Sequence, residues 1–600
     1  MQYSSIPLAQ SVVLHCKAQG VSRVVISPGS RNAPLTIGFL ADPFFECFSI
    51  VDERAAGFFA LGLAQRSQKP TVLVCTSGSA LLNYYPAISE AYYSGIPLVV
   101  VSADRPPYLI DKGYGQTIRQ EGVYGQHVVF SAPLIQDASH APEQYKKYMP
   151  KGLQLEQSEV NKANHLLLSD AFAKLQATHR PIHLNTPFEE PLYEKSKAYK
   201  SLNDPIQPED HHSENNSQNT PKTLHKTLSD PLLKQQWEKA DRIMVIIGVM
   251  YPNASERLSK ETIAFLANDP RVLVFTETTS NIHEPSFIDS IDNLIAPLET
   301  HPDRQALFNA LAPDLLITIG GAVVSKKIKY FLNQYTPDLH WQIQNEIVVN
   351  PFFTNFSCFR PTADAFFASA LATLKPPKAP LKNSPKTLAL TFKEKYKAHI
   401  ERYTESCPFS DFYTFYHLLK TLPSNTVLHL ANSATIRYAQ LFSVKPTVEV
   451  YCNRGTSGID GSTATAIGSS VVSKKPTVLF TGDLSFFYDS NGLWNQYIPL
   501  DFKIVLINNQ GGGIFRVLPG KSDDEEFKTY FETVHELQAK SICELHGFSY
   551  QSVHDKAGLE EALSNFYSAS KGPSLLEVKT PRTENETVLL DFFKSLKAYY

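Results

Sequence analysis

The feature that most restricts the fold of this chain is a rhythm: a short β-branched apolar run, a turn, then a helical stretch, repeated through three segments of similar size. In the first segment the runs are Val24–Ser27, Phe48–Val51, Val72–Thr76 and Leu98–Ala103, with helix-like text at Glu53–Arg66 and Ala80–Tyr93. The second has Ile243–Ile247, Val272–Thr276 and Leu315–Ile319. The third has Val427–Leu430, Val448–Tyr451, Val478–Thr481, Ile504–Ile507 and Leu575–Val578. Strands that are apolar along their whole length must be covered on both faces, the condition of a parallel sheet wrapped by helices. The sequence therefore predicts an α/β chain of three doubly wound parallel-sheet domains. Two polar, proline-bearing stretches, roughly 201–229 and 373–388, lack either periodicity and read as linkers, which places the domains at 1–200, 230–372 and 389–600.

Charge narrows the partners. Lys and Arg number 56 against 59 Asp and Glu, a formal −3, so there is no bulk attraction to nucleic acid or to an anionic membrane. Any anionic ligand must be caught by local arginines and lysines. The N-terminal MQYSSIPLAQ lacks a basic region followed by an apolar one, and no uninterrupted apolar run reaches about 18–20 residues, so a cytoplasmic protein is expected. Seven scattered cysteines, none in CxxC or beside a His pair at zinc spacing, read as reduced, mostly buried thiols. No GxGxxG opens a helix after a strand, and GxxxxGK[ST], HExxH and GxSxG do not occur, which removes the usual support for nicotinamide, P-loop, zinc-protease and serine-hydrolase chemistry.

The strongest local pattern lies in the third segment. A strand ends in Gly482-Asp483-Leu484-Ser485, and the next apolar run ends in Asn508-Asn509-Gln510-Gly511-Gly512-Gly513. Both words fall at the carboxyl ends of strands, where open α/β sheets bind ligands. Magnesium takes near-octahedral oxygen ligands and usually keeps only one or two carboxylates. Asp483, the Asn509 side chain and the Gly511 carbonyl would leave positions for diphosphate oxygens and a water. Ser485 and the following helix amides could receive phosphate. Alone, each half is ordinary turn chemistry. Together they resemble the thiamine diphosphate motif, Gly-Asp-Gly followed downstream by Asn, with Leu484 in place of the third Gly.

That coenzyme needs a buried carboxyl group against its aminopyrimidine. Glu53, which opens a small-residue helix after strand Phe48–Val51 and faces the Thr76-Ser77-Gly78-Ser79 turn, is the candidate; burial there would raise its pKa. Otherwise Asp52 and Glu53 would be no more than acids favoured at a helix N-terminus.

The words SPGSRNAPLT at 27–36, DER at 52–54, TSGS at 76–79, SADRP at 102–106, GQTI at 115–118, NS at 432–433, NRGTSGIDG at 453–461, GDLS at 482–485 and GGIF at 512–515 resemble the 2-succinyl-5-enolpyruvyl-6-hydroxy-3-cyclohexene-1-carboxylate synthase family of thiamine diphosphate-dependent enzymes. They cover the first and third segments well and the middle one poorly. Since the family writes its motif as GDLS, Leu484 supports the resemblance. It implies a homodimer or homotetramer with active sites shared between subunits, thiamine diphosphate held through magnesium, with manganese as the alternative metal, and a place in menaquinone biosynthesis. The implied reaction decarboxylates 2-oxoglutarate and adds the remaining four-carbon carbanion in a Stetter-like 1,4 fashion to isochorismate. Both substrates are dianions, which calls for guanidinium forks. The resemblance implies that Ser30, Arg31, Arg105 and Gln116 face isochorismate, with Lys326 reaching in from the middle domain. Ser433, Arg437 and Arg454 would hold the oxo acid, and Ile459, Ile514 and Phe515 would pack against the coenzyme. Rival readings are another thiamine-dependent 2-oxo acid decarboxylase, an acetolactate-synthase-like carboligase, or a non-catalytic relative. His127, close in sequence to Gln116, is expected to be structural or to lie at the rim of the site.

Overall fold

The computed structural model describes residues 2–197, 223–254, 257–343, 350–374, 384–517, 522–568 and 571–599. Three six-stranded sheets carry the fold, and all their pairings are parallel. The first consists of β1 (Arg23–Ile26), β2 (Glu46–Ser49), β3 (Thr71–Cys75), β4 (Leu98–Asp104), β5 (Phe130–Pro133) and β6 (Ile182–Pro187), in the order 2-1-3-4-6-5. The second consists of β7 (Thr223–Leu224), β8 (Ile243–Ile247), β9 (Val272–Thr276), β10 (Leu315–Ile319), β11 (Leu339–Ile343) and β12 (Phe356–Phe359), in the order 9-8-10-11-12-7. The third consists of β13 (Val427–Leu430), β14 (Glu449–Tyr451), β15 (Thr477–Gly482), β16 (Lys503–Asn508), β17 (Ser549–Val553) and β18 (Ser574–Lys579), in the order 14-13-15-16-18-17.

The first and third sheets thus share one topology, and in each the order reverses between the first strand and the third. That reversal opens a crevice beyond the carboxyl ends of the strands. The central strands TVLVC of β3 and IMVII of β8 are buried at every position, as an apolar run covered on both faces must be. Each apolar run anticipated from the sequence is a strand, to within two residues at either end.

Three differences have physical causes. The helical text at 80–93 forms two helices, Ala80–Asn83 and Tyr85–Ser94, because Pro86 has no N–H to continue the first ladder. Most of the 201–229 linker lies outside the described residues, but Thr223–Leu224 within it pairs with Cys358 and Phe359 as an edge strand. Residues 375–383 of the second linker also lie outside them, and its end is the first turn of helix Pro385–Ser406, capped by Ser384 accepting from the Thr387 amide.

By contacts the chain forms two compact units. One comprises Met1–Asn215, Gly455–Lys474 and Tyr488–Pro499; the other comprises Asn216–Arg454, Lys475–Phe487 and Leu500–Tyr600. Within the first, helix Glu53–Ser67 packs on helix Ser462–Val472 at glycine contacts. A Cβ on Gly62 would lie 2.0 Å from the Thr465 carbonyl oxygen, and one on Gly468 would lie 2.0 Å from that of Phe59. Only hydrogens fit there, so the backbones touch. Among the described residues no helix is long and apolar enough to cross a membrane.

Candidate active site

Two groups of residues gather at the carboxyl edges of the sheets, one in each compact unit. In the first unit, Glu53 opens its helix directly behind the N-cap Asp52, whose carboxylate accepts from the Ala55 amide at 2.9 Å. Burial pushes the Glu53 carboxyl above its ordinary range, and the neighbouring Asp52 adds to the rise. Beside it, the β1, β3 and β4 ends carry Arg31, Thr76–Gly78 and Arg105. Arg31 is 5% exposed; its Nη1 donates to the Phe188 carbonyl at 3.0 Å and its Nη2 to Glu190 at 3.1 Å. Burial lowers its pKa and the nearby Arg105 guanidinium lowers it further, so two cations share one corner. Arg105 Nε donates to the Gly115 carbonyl at 3.0 Å, and the Gln116 carbonyl accepts from Ser77 Oγ at 2.9 Å. Ser30 is exposed on the same loop as Arg31. The structure therefore brings Arg31, Arg105 and Gln116 together from three loops.

Also in this unit, buried Glu90 accepts from the Gly455 and Thr456 amides at 2.7 and 2.6 Å and anchors the start of the turn that carries Ile459, which is 37% exposed. His127 hydrogen-bonds Tyr85 at 3.1 Å and packs edge-on against Tyr92 and Tyr93, a structural setting as expected.

In the second unit, β15 delivers Asp483 and β16 delivers Asn509, 2% and 8% exposed. Asp483 accepts from the amides of Leu484 at 2.6 Å and Gly511 at 2.9 Å. Asn509 is set by a residue that the sequence reading missed. Asp411, at the start of helix Asp411–Thr421, accepts from Asn509 Nδ2 at 2.9 Å, so the amide's oxygen is turned the other way. Asp411 is itself fixed by Thr580 Oγ1 at 2.5 Å and by its own amide donating to Asn585 at 2.7 Å. Burial pushes its carboxyl up to about 6. Gly511 sits at φ +145, and a Cβ there would meet the Glu532 carbonyl oxygen at 2.7 Å, so this turn accepts only glycine. Ser485 is buried two residues beyond Asp483, while Leu484, Ile514 and Phe515 are partly buried nearby in sequence. A carboxylate, an amide oxygen held outward and a glycine carbonyl form a hard-oxygen set that fits magnesium or manganese and the diphosphate it would carry.

The same edge carries the cationic group. Ser433 adopts φ +67, a strained value for a residue with a side chain, and its carbonyl accepts from Arg437 Nη1 at 2.6 Å. Arg454 Nη1 donates to Asn432 Oδ1 at 2.7 Å, and Asn432 in turn donates to the Asn453 carbonyl at 2.7 Å. Burial lowers the Arg437 pKa, and Arg454 lowers it further. From the second sheet, helix Lys326–Gln334 brings Lys326 and Lys329 into the same electrostatic neighbourhood, opposite Glu277 at the end of β9. The sequence reading named Lys326 and missed Lys329, Glu277 and Asp411. Their only mark in the sequence is position: Glu277 follows a strand, and the two lysines stand three apart.

Comparison with known proteins agrees at both ends. Residues 6–123 match the family model described as thiamine pyrophosphate enzyme, N-terminal TPP binding domain, and residues 433–578 match the corresponding C-terminal TPP binding domain. A Christiangramia forsetii protein named 2-succinyl-5-enolpyruvyl-6-hydroxy-3-cyclohexene-1-carboxylate synthase is 47% identical over all of both chains. Proteins of the same name from Flavobacterium johnsoniae and Bacteroides fragilis are 43% and 36% identical, each over 99% of this chain and all of their own. The chain is a thiamine diphosphate-dependent enzyme and belongs to the 2-succinyl-5-enolpyruvyl-6-hydroxy-3-cyclohexene-1-carboxylate synthase family.

Proposed function

We propose that this enzyme decarboxylates 2-oxoglutarate and joins the four-carbon remainder to isochorismate, giving the product for which its relatives are named. The observation that carries this reading is the pairing, on the carboxyl edge of one sheet, of a hard-oxygen set (Asp483, Asn509, Gly511) with two guanidinium groups (Arg437, Arg454). The first suits a metal-bound diphosphate and the second suits carboxylates.

Thiamine diphosphate, when bound, supplies an electron sink for the departing carboxylate. The chain's own residues do the rest. Asp483, Asn509 and the Gly511 carbonyl hold magnesium or manganese, with Ser485 and Leu484 at the diphosphate. Glu53 holds a proton against the aminopyrimidine, which its raised pKa suits. Ser433, Arg437 and Arg454 bind and orient the oxo acid. Ser30, Arg31, Arg105, Gln116 and Lys326 receive isochorismate, and Ile459, Ile514 and Phe515 shape the apolar wall. In this reading residues 1–200 serve the pyrimidine end, 389–600 the diphosphate end, and 230–372 contribute Lys326. The working form is a cytoplasmic homodimer or homotetramer whose active sites are shared between subunits.

The test is to incubate the purified protein with 2-oxoglutarate, isochorismate, thiamine diphosphate and magnesium while following isochorismate absorbance. Loss that requires all four components is the expected result. Aldehyde release with isochorismate untouched would instead identify a plain decarboxylase.

A further inference from the structure

Residues 532–537 fold back over the turn that carries Asn509 and Gly511, all within one compact unit. Buried Glu532 pairs with Arg516 and with Arg582, whose Nη1 lies 2.9 Å away, and its carbonyl accepts from the Gly512 amide at 2.6 Å. Further along, the His535 amide donates to the Gln510 carbonyl at 3.3 Å, and the Leu537 carbonyl accepts from Asn508 Nδ2 at 2.9 Å. These bonds fix the segment against residues 508–512, so the direction of the side chains it carries is set.

The side chain delivered to Asp483 is His535. Its Nδ1 accepts from the Leu537 amide at 3.1 Å, so the neutral ring carries its proton on Nε2. Phe487 packs edge-on against it, with ring centroids 5.6 Å apart. Nε2 is buried, among the described residues no hydrogen bond engages it, and it faces Asp483 Oδ2 at 3.4 Å. That distance is slightly longer than a full N–H···O bond. A phenylalanine or leucine would fill the same edge-on slot without burying a donor that lacks an acceptor, so packing alone does not account for an imidazole here. Lone-pair accounting does. An ionised carboxylate offers about four acceptor positions. Asp483 Oδ1 takes the Leu484 amide and Oδ2 takes the Gly511 amide. The His535 N–H suits the second position on Oδ2, which leaves one on Oδ1 to face a cation. Pinning Oδ2 matters, because a carboxylate free to turn can chelate through both oxygens, a mode that calcium tolerates and the tight octahedral sphere of magnesium does not favour.

We propose that His535 is a positioning residue of the metal site: its Nε2–H holds Asp483 Oδ2, so that the carboxylate meets the metal through Oδ1 alone and magnesium is favoured over calcium. This rests on the reading of Asp483, Asn509 and Gly511 as metal ligands given above, and adds to it the group that orients the carboxylate and sets the choice of ion.

The test titrates magnesium and, separately, calcium into the full-length protein by calorimetry in excess thiamine diphosphate. His535→Phe keeps the edge-on packing and removes the donor, whereas His535→Gln returns an N–H at similar reach. Magnesium affinity is expected to fall about tenfold or more in His535→Phe, with calcium affinity changed by less than about threefold, and to recover most of the way in His535→Gln. Thermal unfolding without metal or coenzyme checks each fold, and His535→Leu serves as the donor-less variant should phenylalanine disturb it. Wild-type magnesium affinity in the donor-less variant, an equal fall for both ions, or an equal loss in His535→Phe and His535→Gln would overturn the assignment and leave the ligand set standing. Magnesium binding that Asp483→Ala leaves intact would overturn both.

Discussion

Replacing Asp411 by Asn is nearly isosteric, yet it should impair the proposed metal site, which Asp411 does not itself enter. In the wild type, Thr580 Oγ1 donates to Asp411 Oδ1 and Asn509 Nδ2 donates to Oδ2. Asp411→Asn would keep its oxygen toward Thr580 and turn an NH2 toward the Asn509 NH2. Two donors then face each other, and the Asn509 amide relieves the clash by flipping, which presents nitrogen where the proposed metal would need oxygen. Outer-shell changes of this kind typically cost about tenfold to a hundredfold in metal affinity, or about 1.4–2.7 kcal/mol. The fold should not suffer, because a fully buried carboxyl whose pKa is already pushed up to about 6 is replaced by a neutral group. Isothermal titration of magnesium into protein saturated with thiamine diphosphate reads the effect, with thermal unfolding of the metal-free protein as the control. Wild-type magnesium affinity in Asp411→Asn would refute the orienting role.

Three more outcomes are expected. Glu53→Gln should bind the coenzyme almost normally and lose turnover by orders of magnitude; unimpaired turnover would remove Glu53 from its assigned role. Asp483→Ala should abolish magnesium-dependent coenzyme binding, followed by circular dichroism with and without the metal; identical titrations in variant and wild type would argue against the ligand assignment. Asp489 is buried, accepts from the Ala464 amide at 2.9 Å, and is raised by burial from 3.8 to about 7. Because folding raises this pKa, its stabilising contribution is whole at acid pH and is lost as pH climbs through about 7, by at most about 4 kcal/mol. Asp489→Asn should flatten that decline in urea unfolding between pH 5 and 8.5, whereas parallel curves would place its source elsewhere.

The sequence disclosed whatever was written in a run. Strands β8, β9, β10 and β13 match their apolar words residue for residue, because burial on both faces leaves no polar interruption. Strands β6 and β11 escaped for the opposite reason. Ile182–Pro187 interleaves His183 and Asn185, and Leu339–Ile343 interleaves His340 and Gln342. A distant network makes such polar residues tolerable inside a core: Ser102 bonds His183 at 2.7 Å and Asn185 at 2.9 Å, and Asn185 donates to Asp104 at 2.8 Å. Those partners are some eighty residues apart in sequence, beyond any local pattern. The site divides in the same way. Glu53, Asp483 and Asn509 stand in recognisable words at strand ends, while Asp411 acts across 98 residues on Asn509 and has no motif of its own.

Whether Glu53 and Asp483 serve a single coenzyme from different subunits is tested most directly by complementation. Glu53→Gln and Asp483→Ala, each inactive alone, would be co-expressed under different affinity tags and the mixed dimer isolated. One of its two sites carries both lesions and the other carries neither, so about half of the wild-type activity per dimer should return. A mixed dimer as inactive as its two parents would contradict the shared site.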